Sequence, residues 1–84
     1  MDVMNVARLN IKKNRELKGL RQQDLADKLG MSLRSYQSLE SGETKLDLER
    51  LGQIAKILET TIEELLKQEG VFINQEIKDG GRGS

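Results

Sequence analysis

QQDLADKLGMSLRSYQSLESG, residues 22–42, is the stretch that decides the fold of this chain. Leu25, Ala26 and Leu29 recur at the spacing that gathers side chains on one helical face, and Tyr36 and Leu39 form a second such stripe. Short polar residues fill the positions between them. Gly30-Met31-Ser32 breaks the pattern with a residue tolerant of a left-handed turn, followed by a good helix N-cap. Gly42 stands where the second helix should stop. The window predicts two short amphipathic helices joined by a tight turn.

A helix pair joined by a tight, glycine-containing turn is the helix-turn-helix unit, whose second helix fits the DNA major groove. Gln22, Leu25-Ala26, Gly30, the small N-cap Ser32 and the ending Leu39-Glu40-Ser41-Gly42 resemble the lambda-repressor/Cro-type (Xre-type) helix-turn-helix family. The resemblance runs outward over about residues 7–67. Leu48, Leu51, Ile54, Ala55 and Leu58, then the segment from Thr61 to Leu65, are similar to the family's fourth and fifth helices. The implied fold is all-α: a compact five-helix bundle of the lambda-repressor-like DNA-binding type, with a partly flexible C-terminal tail.

Outward from the window, helix 1 is expected over about residues 4–18, with Ala7, Ile11 and Leu17 inward and Arg8, Lys12 and Lys13 outside. Gly19 is a natural end for it, and Leu20 returns to the core. Helix 2 starts at Gln22, but the residue before it is Arg21, a poor cap where the family carries Ser or Thr. Asp24 in the first turn still favours the helix dipole, and Arg21 is left for a phosphate contact. Asp47 caps helix 4, residues 48–58. Gly52 inside that helix marks either a close helix approach or a tolerated defect of about 1 kcal/mol against Ala. Thr61 with Glu64 three residues on reads as a capping box for helix 5, about residues 61–68.

Eighty-four residues without Cys, His, Pro or Trp bound the rest. The length suits one domain near the size at which a single core is only marginally sufficient. Residues 1–69 are expected to form the DNA-binding domain and residues 70–84 a tail. Without Cys there is neither a disulfide nor a thiolate site, and without His the usual zinc ligand and the usual general base are gone. No paired carboxylates in an evident cleft and no phosphate-binding glycine loop replace them, so neither an enzyme nor a cofactor is expected. No apolar run is long enough to span a membrane, and Met1-Asp2-Val3 opens no signal peptide; a cytoplasmic protein is the expectation.

The formal net charge is zero, yet its distribution is uneven. Residues 8–34 hold eight basic and three acidic side chains, whereas residues 35–69 hold four basic and eight acidic. Such a split gives one face a positive potential that can steer phosphates.

The expected DNA contacts are Gln22, Ser32, Leu33, Arg34, Gln37, Ser38, Thr44 and Lys45. Gln22 is expected to hold a phosphate through its amide and the adjacent helix N-terminus. Ser32 opens the recognition helix, about residues 33–40, and Leu33, Arg34, Gln37 and Ser38 share one face opposite Tyr36 and Leu39. Leu33 suits a thymine methyl and Arg34 a guanine; the alternative for Leu33 is the core. The resemblance places Thr44 and Lys45 in a loop running beside the backbone, where Glu43 departs from the usual basic character. It also implies an ion pair between Arg15 and Glu40, tying helix 1 to the end of helix 3. Otherwise Arg15 faces phosphate and Glu40 water.

Three functional readings follow. The first is a small transcriptional regulator binding double-stranded DNA sequence-specifically as a homodimer. The second is an antitoxin or restriction-control protein that also binds a partner protein, and the third a pure protein-interaction module. One recognition helix reads few base pairs, so a dimer surface is expected on helix 5 and residues 71–77, where Val71, Phe72 and Ile73 need burial. For residues 71–77 an edge strand, a fold-back onto helix 5 and disorder all stay open; from about Asp79 disorder is expected.

Overall fold

The computed structural model describes residues 2–68, and these form five helices with no strand among them. They are α1 (Val3–Leu17), α2 (Gln22–Leu29), α3 (Leu33–Ser41), α4 (Leu48–Ile57) and α5 (Ile62–Leu65). What was expected of residues 70–84, the edge strand and dimer contact included, lies outside the described residues.

Each helix begins where a side chain can take up an orphan amide. Asp2, Ser32, Asp47 and Thr61 accept from Met4, Ser35, Arg50 and Glu64 respectively, meeting the first-turn donors that no helical carbonyl reaches. Arginine has no acceptor to offer, so α2 is started the other way round. The Asp24 carboxylate accepts the Arg21 backbone N–H at 2.7 Å, and the Arg21 guanidinium folds onto the same carboxylate at 3.2 Å. Those bonds, led by the backbone one, hold the Asp24 pKa below its ordinary value. Arg21, read as left for a phosphate contact, also lends its guanidinium to the cap while staying 80% exposed. Gly30 closes α2 at φ 70°, a left-handed turn that a side chain would oppose.

The core joins every element. Ala7 and Ile11 from α1, Leu25 and Ala26 from α2, Tyr36 and Leu39 from α3, Leu51, Ile54 and Ala55 from α4, and Leu46, Leu58 and Leu65 beyond them form one cluster. Leu20 packs half-buried on its edge. Leu17 does not join it: it is 86% exposed, because six steps along the helix from Ile11 turn it about 120° away from that residue's direction. The reading of Leu17 as core is corrected accordingly.

Two details differ at the C-terminal side. Helix 5 is one turn, not two: the Asn10 amide donates to both Leu65 O and Lys67 O at 2.7 Å, binding the chain to α1 where the helix would have continued. The capping box there is half formed, since Glu64 turns to Lys67 Nζ at 2.9 Å. Gly52, in contrast, marks no close approach. A Cβ there would meet only Ile62 Cδ1 at 3.6 Å, an ordinary contact with a movable methyl. Gly52→Ala is expected to stabilise by about 1 kcal/mol through helix propensity, raising the melting temperature by about 4–8 °C. A thermal melt checks this, and a lower midpoint would mean that Ile62 cannot yield.

Candidate functional site

α1 holds α3 through two arginines two turns apart. Arg15 Nε donates to Glu40 Oε2 at 2.9 Å and its Nη2 to Glu40 Oε1 at 3.1 Å, the two-pronged geometry of a guanidinium on a carboxylate. Its Nη1 donates to Leu20 O at 3.0 Å. The two side chains are only 9% and 6% exposed. Tyr36, at the core, donates its hydroxyl to Glu40 Oε2 at 2.6 Å, and Gln22 Nε2 donates to Oε1 at 3.0 Å. Burial pushes the Glu40 pKa up, but the hydrogen bonds from Arg15, Tyr36 and Gln22 outweigh it and hold the carboxyl below its ordinary value. The same carboxylate raises Arg15 against burial. Burial first, and then Glu40, push the Tyr36 phenol up, so it stays a donor.

Arg8 is the second clamp, and the sequence reading had it outside. Its Nε donates to Leu39 O at 3.1 Å, its Nη1 to Asn5 Oδ1 at 2.6 Å and its Nη2 to Thr44 O at 3.5 Å. Leu39 O belongs to the last turn of α3, where carbonyls lack helical partners. The arginine therefore ties α1 to the end of α3 and to the loop after it. A spacing of seven residues from Arg15 on the same helix was the available signal, since it places both side chains near one another on the α1 surface.

With Arg8 and Arg15 engaged in holding helices, the basic excess at the surface is smaller than the sequence count; Arg21, 80% exposed beside Asp24, leaves it unchanged. What remains of it within residues 8–34 is Lys12, Lys13, Lys28 and Arg34, all exposed, with Lys18 leaning towards Glu59 at 3.9 Å; Lys45 and Lys56 are exposed beyond them.

The expected contact residues fall as follows. Arg34 is exposed and makes no hydrogen bond or ion pair with another described residue. Leu33 beside it is half-buried and does not pack on the core cluster. Ser32 is exposed and spent on its own helix, its Oγ accepting Ser35 N–H at 3.1 Å. Ser38 donates its hydroxyl to Glu43 Oε1 at 3.2 Å, so its remaining capacity is as an acceptor. Thr44 and Lys45 are exposed on the loop, and Thr44 N–H reaches back to Ser38 O at 3.1 Å. Gln37 Nε2 donates to Gln22 Oε1 at 3.1 Å. Gln22, expected at a phosphate, thus gives its carbonyl to Gln37 and one amide hydrogen to Glu40, which leaves one N–H at the start of α2.

No helix among the described residues is long and apolar enough to cross a membrane. Residues 11–65 match the family described as Helix-turn-helix. The chain is 42% identical over 60 residues to an uncharacterized HTH-type transcriptional regulator of Bacillus subtilis (strain 168), YqaE, an overlap of 71% of this chain and 52% of that protein. It is 43% identical over 56 residues to RstR, the cryptic phage CTXphi transcriptional repressor of Vibrio cholerae, covering 67% of this chain and 50% of that protein. The chain spans about half the length of the curated relatives it matches.

Proposed function

The chain belongs to the helix-turn-helix family, and on that premise we propose that it binds double-stranded DNA sequence-specifically as a transcriptional regulator, with α3 in the major groove. The observation that carries the reading is Arg34: an exposed guanidinium, with no partner among the described residues, in the first turn of a helix clamped by Arg8 and Arg15. A side chain that is to read a base edge needs a free head and a rigid support, and Arg34 has both. The N-terminal part of a recognition helix is the part that reaches bases. Leu33 adds an apolar contact suited to a thymine methyl. The remaining Gln22 N–H, the Thr44 hydroxyl and the Lys45 ammonium supply the phosphate contacts that fix register without carrying sequence information. The names of the two relatives, a transcriptional regulator and a transcriptional repressor, agree with this reading.

A helix of nine residues reads too few base pairs for useful selectivity, so the active species is a homodimer on a palindrome with half-sites about 34 Å apart. Selection of bound sequences from a random duplex pool tests binding and spacing together. The expected product is an inverted repeat at that spacing. Its affinity should fall steeply with salt, at a slope corresponding to roughly 4–8 neutralised phosphates per dimer. A pool with no enriched sequence, or an affinity indifferent to salt, would overturn the reading.

A further inference from the structure

Glu43 breaks two local rules. Its carboxylate stands just past the C-terminus of α3, where the helix dipole opposes negative charge. It also lies on the loop whose Thr44 and Lys45 are assigned to phosphates above, where a negative charge opposes DNA. It is exposed and makes no ion pair with a described residue. Neither helix stability nor attraction to the backbone accounts for a glutamate there, and a residue that breaks local rules is where a functional reason is to be sought. The fold nevertheless holds it in place. Gly42 turns left-handed at φ 97°, and Thr44 N–H closes back on Ser38 O at 3.1 Å. The half-buried Ser38 then donates its hydroxyl to Glu43 Oε1 at 3.2 Å. Ser38 lies one turn after Arg34 on the same face of α3, so its hydroxyl ties the carboxylate to the face that carries Arg34.

An ionised carboxylate can only accept, and Glu43 Oε2 has no partner among the described residues. In the major groove guanine shows two acceptors, thymine an acceptor and a methyl, and adenine a donor beside an acceptor, whereas cytosine shows its N4 amino donor alone. Resting on the DNA-binding reading above, we propose that Glu43 is a specificity-determining residue that reads a cytosine by accepting an N4 hydrogen at Oε2, and that Ser38 is the positioning residue that holds the carboxylate for it. The same charge repels the phosphates it nears. Glu43 therefore weakens binding to random duplex while favouring one base, and selectivity rises on both counts.

The test compares the wild-type chain with Glu43→Ala, Glu43→Gln and Ser38→Ala on random duplex and on the preferred duplex with each base position substituted in turn. The wild type should prefer cytosine over guanine or thymine at one position of each half-site by about 5- to 150-fold, the effect of setting an acceptor against a desolvated carboxylate. Glu43→Ala should remove that preference and strengthen binding to random duplex by about 2- to 5-fold per protomer, the size of one exposed charge interaction. Glu43→Gln should give the same gain on random duplex but keep a cytosine preference of about 2- to 12-fold, since a neutral acceptor makes a bond about half as strong. Ser38→Ala should lower the preference by about 2- to 12-fold, the effect of ordering one more side chain on binding, and leave random duplex unchanged. Each preference is a ratio within one preparation and does not depend on the fraction folded. A wild type with no cytosine preference, a preference that survives Glu43→Ala, or random-duplex binding that Glu43→Ala weakens would overturn the proposal; an unchanged preference in Ser38→Ala would overturn the role of Ser38. A wild-type chain that binds no duplex overturns the DNA-binding reading itself, and this proposal with it.

Discussion

Arg15→Ala is expected to destabilise the domain by about 3–5 kcal/mol, the effect of stranding one partner of a buried ion pair, and to lower the melting temperature by about 12–40 °C. Few single changes in so small a domain could do more, since its whole stability is expected at about 5–15 kcal/mol. Glu40 would keep Tyr36 and Gln22 as donors, but its charge would lie buried without a counter-charge. The acid limb of the stability curve gives an independent check. In the wild type the Glu40 pKa is depressed on folding, so its contribution is fully present above the ordinary glutamate pKa of about 4.3 and is lost as pH falls through the lower folded value. In Arg15→Ala burial acts against the charge with its main opponent gone, so the dependence should flatten or reverse over that window. Replacing the group as a whole, by Arg15→Met with Glu40→Leu and Tyr36→Phe, should restore most of the lost stability, because no buried charge or hydroxyl is then left unpaired. A melting temperature within a few degrees of wild type for Arg15→Ala alone would show that the pair does not support the fold.

Arg34→Ala should weaken binding to the preferred duplex by about 1–3 kcal/mol and binding to random duplex hardly at all. Preference should relax at one base position per half-site. The asymmetry follows from the two-pronged fit of a guanidinium to guanine O6 and N7, which random sequence seldom presents. Arg34→Lys should recover much of the affinity and little of the selectivity, because a single ammonium restores the charge without the planar fork. Titrations on both duplexes at one salt concentration decide the matter. Equal losses on the two would place Arg34 on a phosphate and move the reading face elsewhere on α3.

The five helices, and the core stripes of Leu25, Ala26, Tyr36 and Leu39, were legible from spacing because helical periodicity and capping are local. A glycine, a capping serine and an apolar stripe each act within a few residues of themselves, so Gly30, Ser32 and Asp47 could be placed from the chain alone. The long-range contacts were not legible in that way. Arg8 reaches a carbonyl 31 residues away, and Asn10 reaches one 57 residues away, where it ends α5 after a single turn. Gln22 and Gln37 meet across 15 residues. Nothing in the pattern of apolar positions distinguishes a polar side chain that will find a distant partner from one that will face water. Charge counts mislead for the same reason: Arg8 and Arg15 are basic in the sequence, but in the fold they are spent on Leu39 and Glu40. Local chemistry settled where the helices start and most of their apolar faces, but neither the end of α5 nor the outward turn of Leu17. Only the tertiary packing of the helices decided which distant polar groups bind one another and which, like Arg34, find no partner among the described residues.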